Sequence, residues 1–297
     1  MAVSGRAGQD RRRSRCQRRA HGARIHRRHR RSGRVRRSGG YDPRTAAGGR
    51  GQSGVSMPLP GRPGVTTVLW DLDGTLVGLR QRTFGVLMPL VAAAAFRDVL
   101  PPHRFLPMLR ATLDQVRRND GELTNHDLLV RLLAERAAVS VPEADRRFRA
   151  LAATGLPRLR RCFHPVPAAR VLVDLLAERG VRQVVATNPL WPHSTVVDRL
   201  RWGGLDPAVF AHICSGESMR RAKPRIEYYG ELLELLDVAG EQCVMVGNDP
   251  DKDPPATALG IPVYLLHART DNALVTSGDW HGLADWLGLP EDSCFSS

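Results

Sequence analysis

The chain has 297 residues and a formal net charge of +14, and both values limit what it can be. The length allows one large domain or two of modest size. The charge is confined to one end, because residues 1–56 hold 17 arginines and two aspartates, a net of +15. The remaining residues hold 27 basic and 28 acidic side chains, a net of −1, so the composition of the folded part does not indicate nucleic-acid binding.

Residues 1–56 are rich in Arg, Gly, Ser, Ala and His and contain few apolar side chains. Such a segment cannot bury enough apolar surface to offset the entropy of ordering it, so we expect it to be disordered. One interpretation is an arginine-rich tether for nucleic acid or an anionic membrane. The interpretation we favour is an over-extended gene start, with Met57 as the true initiator.

Membrane and export signals are absent from the sequence. No apolar stretch reaches the roughly 18 residues that a membrane-spanning helix needs, and the basic N-terminus has no apolar core behind it. The cysteines have no paired spacing, which argues against a zinc site or a disulfide framework and predicts a cytoplasmic protein. They are Cys16, Cys162, Cys214, Cys243 and Cys294.

An apolar run, Val65–Trp70, ends in the sequence Asp71-Leu72-Asp73-Gly74-Thr75. The run predicts a buried strand, and side chains alternate along a strand, so Asp71 and Asp73 should share one face. Adjacent carboxylates repel each other, and a bound cation removes the repulsion. The alternative, for this segment alone, is an ordinary strand that ends in an Asp/Gly turn.

Strand signals then stop from about residue 81 to 161. Breaks near Pro101, Asn119 and Ser140 divide this region into four predicted helices, which we interpret as a small helical domain. The helices are Leu87–Leu100, Arg104–Arg118, Asn125–Ala138 and Pro142–Leu159. Strands and helices alternate from Ala168 onwards, which predicts βαβ units and a parallel sheet with helices on both faces.

Three later segments complete a recognisable order. An apolar run ends in Thr187-Asn188, a lysine at 223 follows a polar loop, and a second apolar run ends in the acidic loop Asn248–Asp253. Together with Asp71 and Asp73, these segments follow the order of motifs found in the haloacid dehalogenase superfamily of phosphohydrolases. The chain resembles that superfamily over about residues 65–267. Lysine at 223 is notable because the chain has two lysines, Lys223 and Lys252, against 42 arginines.

The resemblance implies a fold and a domain plan. The fold class would be α/β, with a Rossmann-like three-layer α/β/α parallel-sheet core and an inserted all-helical cap domain. The core would comprise residues 62–78 and 165–290, and the cap residues 79–164. Stretches around Thr187–Pro192, Arg199–Leu205 and Gly247–Asp249 also resemble one branch of the family that is poorly characterised.

The resemblance also implies catalytic roles. Asp71 would be the nucleophile that forms an aspartyl-phosphate. Asp73 would protonate the leaving alkoxide and then activate the hydrolytic water. Dehalogenases in the superfamily lack this second aspartate, so Asp73 favours an oxygen leaving group. Thr187 and Asn188 would bind phosphoryl oxygens, and Lys223 would bind the phosphoryl group and keep Asp71 ionised.

The implied cofactor is Mg²⁺, a hard cation that takes oxygen ligands. Its ligands would be the Asp71 carboxylate, the Asp73 backbone carbonyl and the Asp249 carboxylate, with Asp253 as a further ligand or a support. The family places an aspartate directly after the glycine, where this chain has Asn248. We favour Asp249 over Asn248 as the main ligand from this loop.

Substrate choice would belong to the cap. Arg118 and Asn119 lie between two predicted cap helices and are candidates for substrate specificity, although Asn-Asp-Gly is equally typical of a plain turn. The cap has no lysine, which excludes the Schiff-base chemistry of the phosphonate-cleaving branch.

We therefore expect a cytoplasmic, Mg²⁺-dependent phosphohydrolase that cleaves a small phosphorylated metabolite. The alternatives are a phosphomutase of the same superfamily and a nucleic-acid-binding protein that acts through its arginine-rich tail.

Overall fold

The structure is a computed structural model that describes residues 56–289. Within that range the chain forms eight strands: β1 (Thr67–Trp70), β2 (Val77–Leu79), β3 (Phe163–Pro165), β4 (Arg182–Val185), β5 (His212–Ile213), β6 (Cys243–Gly247), β7 (Val263–Leu266) and β8 (Val275–Gly278). Six of them form one parallel sheet in the order β5-β4-β1-β6-β7-β8, and β2 pairs with β3 in a separate antiparallel ribbon.

Eight α-helices accompany these strands in the described part of the chain. They are α1 (Gln81–Ala94), α2 (Pro102–Arg117), α3 (Asn125–Ala137), α4 (Val141–Ala150), α5 (Pro167–Glu178), α6 (His193–Trp202), α7 (Ile226–Leu236) and α8 (Trp280–Leu287). A π-helical turn, Leu151–Gly155, and a 3₁₀ segment, Leu156–Cys162, follow α4. None of the helices in this part of the chain has the length and apolarity needed to cross a bilayer.

Strand β1 shows why the core has three layers. Its side chains alternate, so Val68 and Trp70 join the cluster that includes α5, α6 and α8, whereas Leu69 joins the cluster that includes α7. All four residues of β1 are buried, as expected for a parallel strand that is covered on both faces. The predicted α/β fold with a parallel sheet between helical layers is therefore confirmed.

The register of the sheet aligns the ends of β1, β4 and β6. Trp70 pairs with Val185 of β4 and with Val246 of β6. The residues that follow these three strands consequently lie side by side at the carboxyl edge of the sheet, where parallel α/β proteins bind their ligands. The backbone N–H of Asp71 continues the ladder by donating to the carbonyl of Val246 at 2.8 Å.

Residues 81–162, the helical insert, have their own hydrophobic cluster, which includes Phe96, Phe105 and Phe148. The chain leaves the core through β2 and returns through β3, where Leu79 pairs with Phe163. The fourth predicted helix, Pro142–Leu159, is interrupted, since α4 ends at Ala150 and a π turn and a 3₁₀ segment follow. Pro157 has no N–H to donate to the carbonyl of Ala153, so a regular α-helix cannot continue through it, and the 3₁₀ segment begins there. The cap limits 79–164 remain a prediction.

The segment before β1 is anchored to the core. The hydroxyl of Ser56 donates to the carbonyl of Thr66 at 2.8 Å and accepts from the N–H of Arg182 at 3.0 Å. Leu59 is buried, and the guanidinium of Arg62 lies 3.5 Å from the centre of the Trp286 ring. Ser56 therefore belongs to the folded core, whereas the predicted disorder of residues 1–55 lies outside the described residues.

One buried polar bridge offers a test of the packing beneath the site. The indole N–H of Trp70 donates to Gln183 at 3.0 Å, and the amide of Gln183 donates to the carbonyl of Val173 at 2.9 Å. Gln183→Leu leaves the buried indole N–H without an acceptor, so we expect the free energy of unfolding to fall by about 1–3 kcal/mol. Urea denaturation measures the loss, and the exposed Gln81→Leu is the control. A change for Gln183→Leu no larger than the control's would contradict this role.

Candidate active site

The candidate site lies at the carboxyl edge of the sheet and draws on four segments. Asp71 and Asp73 follow β1, Thr187 and Asn188 follow β4, and the loop from Asn248 to Asp253 follows β6. Lys223 reaches the same place from the loop between β5 and α7.

Lys223 is the centre of the site. Its ammonium donates to Asp71 Oδ1 at 3.0 Å and to Asp253 Oδ1 at 2.7 Å. The side chains of Lys223 and Asp253 are fully buried, and that of Asp71 is 14% exposed. One ammonium thus holds together two carboxylates that would otherwise repel each other inside the protein.

Burial and charge shift the pKa values of this group. Burial raises the pKa of Asp71 to about 6; Lys223 opposes the rise, and the carboxylate of Asp253 adds to it. Burial alone would lower the pKa of Lys223, but Asp253 and Asp71 overcome that effect and hold it well above its usual value. The lysine therefore stays protonated, and the cluster contains more acidic groups than its ammonium can neutralise.

Asp253 is fixed on both of its oxygens. Oδ1 accepts from Lys223, and Oδ2 accepts from the backbone N–H of Asp249 at 3.1 Å. A Cβ atom at Gly247 would overlap the Asp253 carboxylate, so the end of β6 needs a glycine there. Through these two hydrogen bonds Asp253 orients both the loop and Lys223. This is consistent with the second of its two predicted roles, that of a support rather than a metal ligand.

Asp73 has a different partner, Arg199 of α6. Arg199 Nη1 donates to Asp73 Oδ2 at 2.5 Å, and the arginine side chain is 3% exposed. Asp73 Oδ1 is buried and accepts no hydrogen bond in the structure. The two aspartates after β1 are thus held by two different cations that come from different elements.

Asn248 and Asp249 have separate surroundings. Asn248 Oδ1 accepts from the hydroxyl of Thr75 at 3.2 Å, and its amide lies so close to Gly74 that a Cβ there would overlap it. Gly74 also has a φ of +94°, which favours glycine. Asp249 accepts from the N–H groups of Asp251 and Lys252, each at 3.1 Å, and is paired with the Lys252 ammonium. Asn248 therefore lies against the loop that follows β1, whereas the Asp249 carboxylate is directed towards its own loop.

The residues present fit a hard divalent cation by the chemistry of their donors. Every candidate ligand is an oxygen, Asp73 Oδ1 is a buried oxygen without a partner, and the aspartates outnumber the ammonium that neutralises them. No three His, Cys, Asp or Glu side chains in residues 56–289 are grouped as a metal site. A cation here would combine the Asp71 carboxylate with the Asp73 carbonyl, and the predicted ligand Asp249 would have to turn its carboxylate away from the Lys252 ammonium. The whole assignment remains a prediction.

Thr187 and Asn188 follow β4 at the same edge of the sheet as Asp71. Thr187 is 3% exposed, and its carbonyl accepts from the hydroxyl of Tyr228 at 2.9 Å, which fixes the turn after β4. Asn188 Oδ1 is buried and without a partner. Their predicted role in phosphate binding is untested by these contacts.

The helical insert contacts the loop that carries Lys223. The N–H groups of Asn125 and His126 donate to the carbonyls of Met219 and Gly216, at 2.9 and 2.8 Å. The Asn125 amide donates to the carbonyl of Arg221 at 2.9 Å. Backbone hydrogen bonds thus join the start of α3 directly to the approach to Lys223.

The two predicted specificity residues differ in their surroundings. Arg118 is exposed. Asn119 is buried. Its side-chain amide donates to the backbone carbonyl of Leu123 and to Asn125 Oδ1, and its backbone carbonyl accepts from the guanidinium groups of Arg221 and Arg225, each at 2.8 Å. The Asn119 side chain orders the turn and α3, and its role in specificity remains a prediction.

Sequence reasoning assigned no role in the site to Arg199, Lys252, Tyr228 or Asn125. Arg199 was detectable in principle, because it stands between Val196 and Leu200 on the buried stripe of α6, where an apolar residue is normal. Lys252 is the second lysine of the chain, and both lysines bind aspartates of this site.

Comparisons with known proteins identify the family of the chain. Residues 65–260 match the model of the haloacid dehalogenase-like hydrolase family. Phosphoglycolate phosphatase of Rhodospirillum rubrum is 30% identical over 244 residues, which cover 75% of this chain and 91% of the relative.

Two solved structures resemble the fold. A 2-haloacid dehalogenase from Pseudomonas syringae pv. tomato DC3000 is 21% identical with a TM-score of 0.50, over 75% of this chain and 98% of that one. A phosphatase of the haloacid dehalogenase family from Thermococcus onnurineus is 17% identical with a TM-score of 0.50. The match covers 75% of this chain and 98% of that one.

The two lysines provide a matched test of the site's electrostatics. Lys223→Met leaves two buried carboxylates without their cation, so we expect the free energy of unfolding to fall by about 3–5 kcal/mol. Lys252→Met removes a partly exposed pair, so we expect a loss below about 1 kcal/mol. Urea denaturation at pH 7 compares them. Equal losses would show that the ammonium of Lys223 does not hold the cluster together.

Proposed function

The chain belongs to the haloacid dehalogenase-like hydrolase family and is an enzyme of the phosphatase type, and from that premise we propose its reaction. It hydrolyses a small phosphate monoester through an aspartyl-phosphate, with Mg²⁺ as cofactor. The observation that carries the proposal is the separation of Asp71 and Asp73, since each binds its own buried cation, Lys223 or Arg199. Two carboxylates in different environments are suited to two different chemical tasks.

Asp71 is the nucleophile. One carboxylate oxygen attacks phosphorus, the new P–O bond forms, and the bond from phosphorus to the substrate oxygen breaks. Asp71 Oδ1 is hydrogen-bonded to Lys223, so the ammonium fixes the orientation of the carboxylate. The same ammonium lies close enough to stabilise negative charge on the transferring phosphoryl group.

Asp73 moves the protons. It donates one to the departing alkoxide, and in the second half-reaction it takes one from the water that attacks the aspartyl-phosphate. Its side chain is 31% exposed, which leaves it accessible to both substrate and water. Hydrolysis of the intermediate releases inorganic phosphate and restores the Asp71 carboxylate.

Mg²⁺, when bound, neutralises charge on the phosphoryl oxygens. The Asp71 carboxylate, the Asp73 carbonyl and the Asp249 carboxylate would hold it, and Asp253 would order the loop that carries Asp249. Thr187 and the backbone N–H of Asn188 would donate to the phosphoryl oxygens from the neighbouring strand.

The substrate in this proposal is a small phosphorylated metabolite, and phosphoglycolate is the first compound to test. The relative from Rhodospirillum rubrum supports that choice. The turn that holds Arg118 and Asn119 joins the approach to Lys223, which supports a part for the helical insert in substrate choice. We also propose a cytoplasmic location, in line with the free thiols of Cys162, Cys214 and Cys243.

The first test of the reaction uses isosteric variants of the two aspartates. Asp71→Asn removes the nucleophile while keeping its shape, so Mg²⁺-dependent release of phosphate should fall to background. Asp73→Asn should lower turnover by about 10²–10⁴-fold through loss of proton transfer. A phosphate-release assay with phosphoglycolate and other metabolites measures both, and circular dichroism checks folding. A folded Asp71→Asn enzyme with near-normal activity would refute the mechanism.

The second test concerns the loop after β6. An anionic carboxylate binds a divalent cation more strongly than a neutral amide does, so Asp249→Ala should weaken Mg²⁺ affinity strongly and Asn248→Ala modestly. Isothermal titration of the protein with Mg²⁺ gives the affinities, and Asp251→Ala in the same loop is the control. Equal or reversed effects would assign the ligand position to Asn248.

A further inference from the structure

Arg199 occupies an unusual place for an arginine. It lies on the buried face of α6, next in sequence to Leu200 and one turn after Val196, and 3% of its side chain is exposed. Its guanidinium reaches out of this apolar layer to Asp73 Oδ2 at 2.5 Å. The arginine is thus enclosed by protein, while the carboxylate that it binds opens towards the site.

Stability alone does not account for this pair. Arg199 Nε and Nη2 are buried without a hydrogen-bond partner. Among the residues that the structure describes, Arg199 forms its ion pair with Asp73. Burying a charged group with unpaired donors is costly, and an apolar side chain of similar volume is often as stable or more so. The neighbouring Arg201 shows the ordinary case, since it is largely exposed and lies 3.7 Å from Asp198.

The contact uses one oxygen of Asp73 and leaves the other. Oδ2 accepts from Arg199, whereas Oδ1 is buried without a partner. A carboxylate oxygen has two lone pairs, so Oδ2 can accept from Arg199 with one and still present the other to the partly exposed side of the carboxylate. The arginine can therefore hold the group in one orientation before and after proton transfer.

We propose that Arg199 is a positioning residue that holds the Asp73 carboxylate in one orientation, so that this group can exchange a proton with the leaving oxygen and with water. In the first step the O–H bond at Asp73 breaks as an O–H bond forms on the departing alkoxide, and the second step reverses the direction at water. This inference rests on the proposed function.

Leaving groups of different basicity separate this role from a structural one. para-Nitrophenolate departs without a proton, whereas an alkoxide needs one, and kcat/KM reports steps only up to departure of the leaving group. Arg199→Met should lower kcat/KM about 10–100-fold for the best alkyl phosphate in a panel that includes phosphoglycolate. For para-nitrophenyl phosphate the loss should stay below about threefold, because no proton transfer is needed there.

Two controls accompany this comparison. Arg201→Met, an exposed change two residues along α6, should leave both values unchanged. Arg199→Lys, which keeps a buried cation able to donate to Oδ2, should recover most of the alkyl phosphate activity. Equal losses on the two substrates, or no recovery with lysine, would overturn the proposal.

A double-mutant cycle gives the sharpest result. If Arg199 acts through Asp73, Arg199→Met should add less than about twofold to the loss already caused by Asp73→Asn, because residues that share one function are non-additive. Additive losses would show a general structural role and overturn the proposal. Arg199→Gln replaces Arg199→Met in every arm if the methionine variant does not fold.

The same data separate the two claims. If Asp73→Asn itself loses little alkyl phosphate activity, the proposed function fails. If Asp73→Asn is impaired and Arg199→Met is not, the role of Arg199 alone fails.

Discussion

The site depends on one buried ammonium, that of Lys223, which lies between the carboxylates of Asp71 and Asp253. Two carboxylates at the end of a buried sheet need a cation, because neither water nor apolar packing can offset their charge there. Lys223 meets part of that need, and the raised pKa of Asp71 shows that the environment still disfavours its charged form. A second cation beside Asp71 would therefore stabilise its charged form further.

The position of this ammonium is linked to the helical insert. Hydrogen bonds from Asn125 and His126 fix the loop that leads to Lys223, and Arg221 and Arg225 of that loop bind the carbonyl of Asn119. The segment proposed to select the substrate and the loop whose lysine binds Asp71 are therefore one hydrogen-bonded assembly. A substitution in the turn at Asn119 can affect both binding and chemistry.

The sequence was most informative where apolar runs end in polar residues. Strands β1, β4 and β6 and the alternation around them predicted a parallel sheet with helices on both faces, since buried strands need uninterrupted apolar residues. Strand β8 was missed because its residues are half-buried or exposed and form no such run. Arg199 was missed because a charged residue in a helix usually indicates a solvated face; its place on the apolar stripe of α6 suggests burial, but only the tertiary structure identifies Asp73 as its partner.

The measurement that tests the central claim most directly is the search for a phosphoryl group on Asp71. Full-length enzyme is mixed with substrate and Mg²⁺, quenched in acid during turnover, digested and examined by mass spectrometry. The account predicts one added phosphoryl group on the peptide that contains Asp71, more of it in Asp73→Asn, whose second half-reaction is slowed, and none in Asp71→Asn. Turnover with no phosphorylated Asp71 peptide in either the wild type or Asp73→Asn would contradict it.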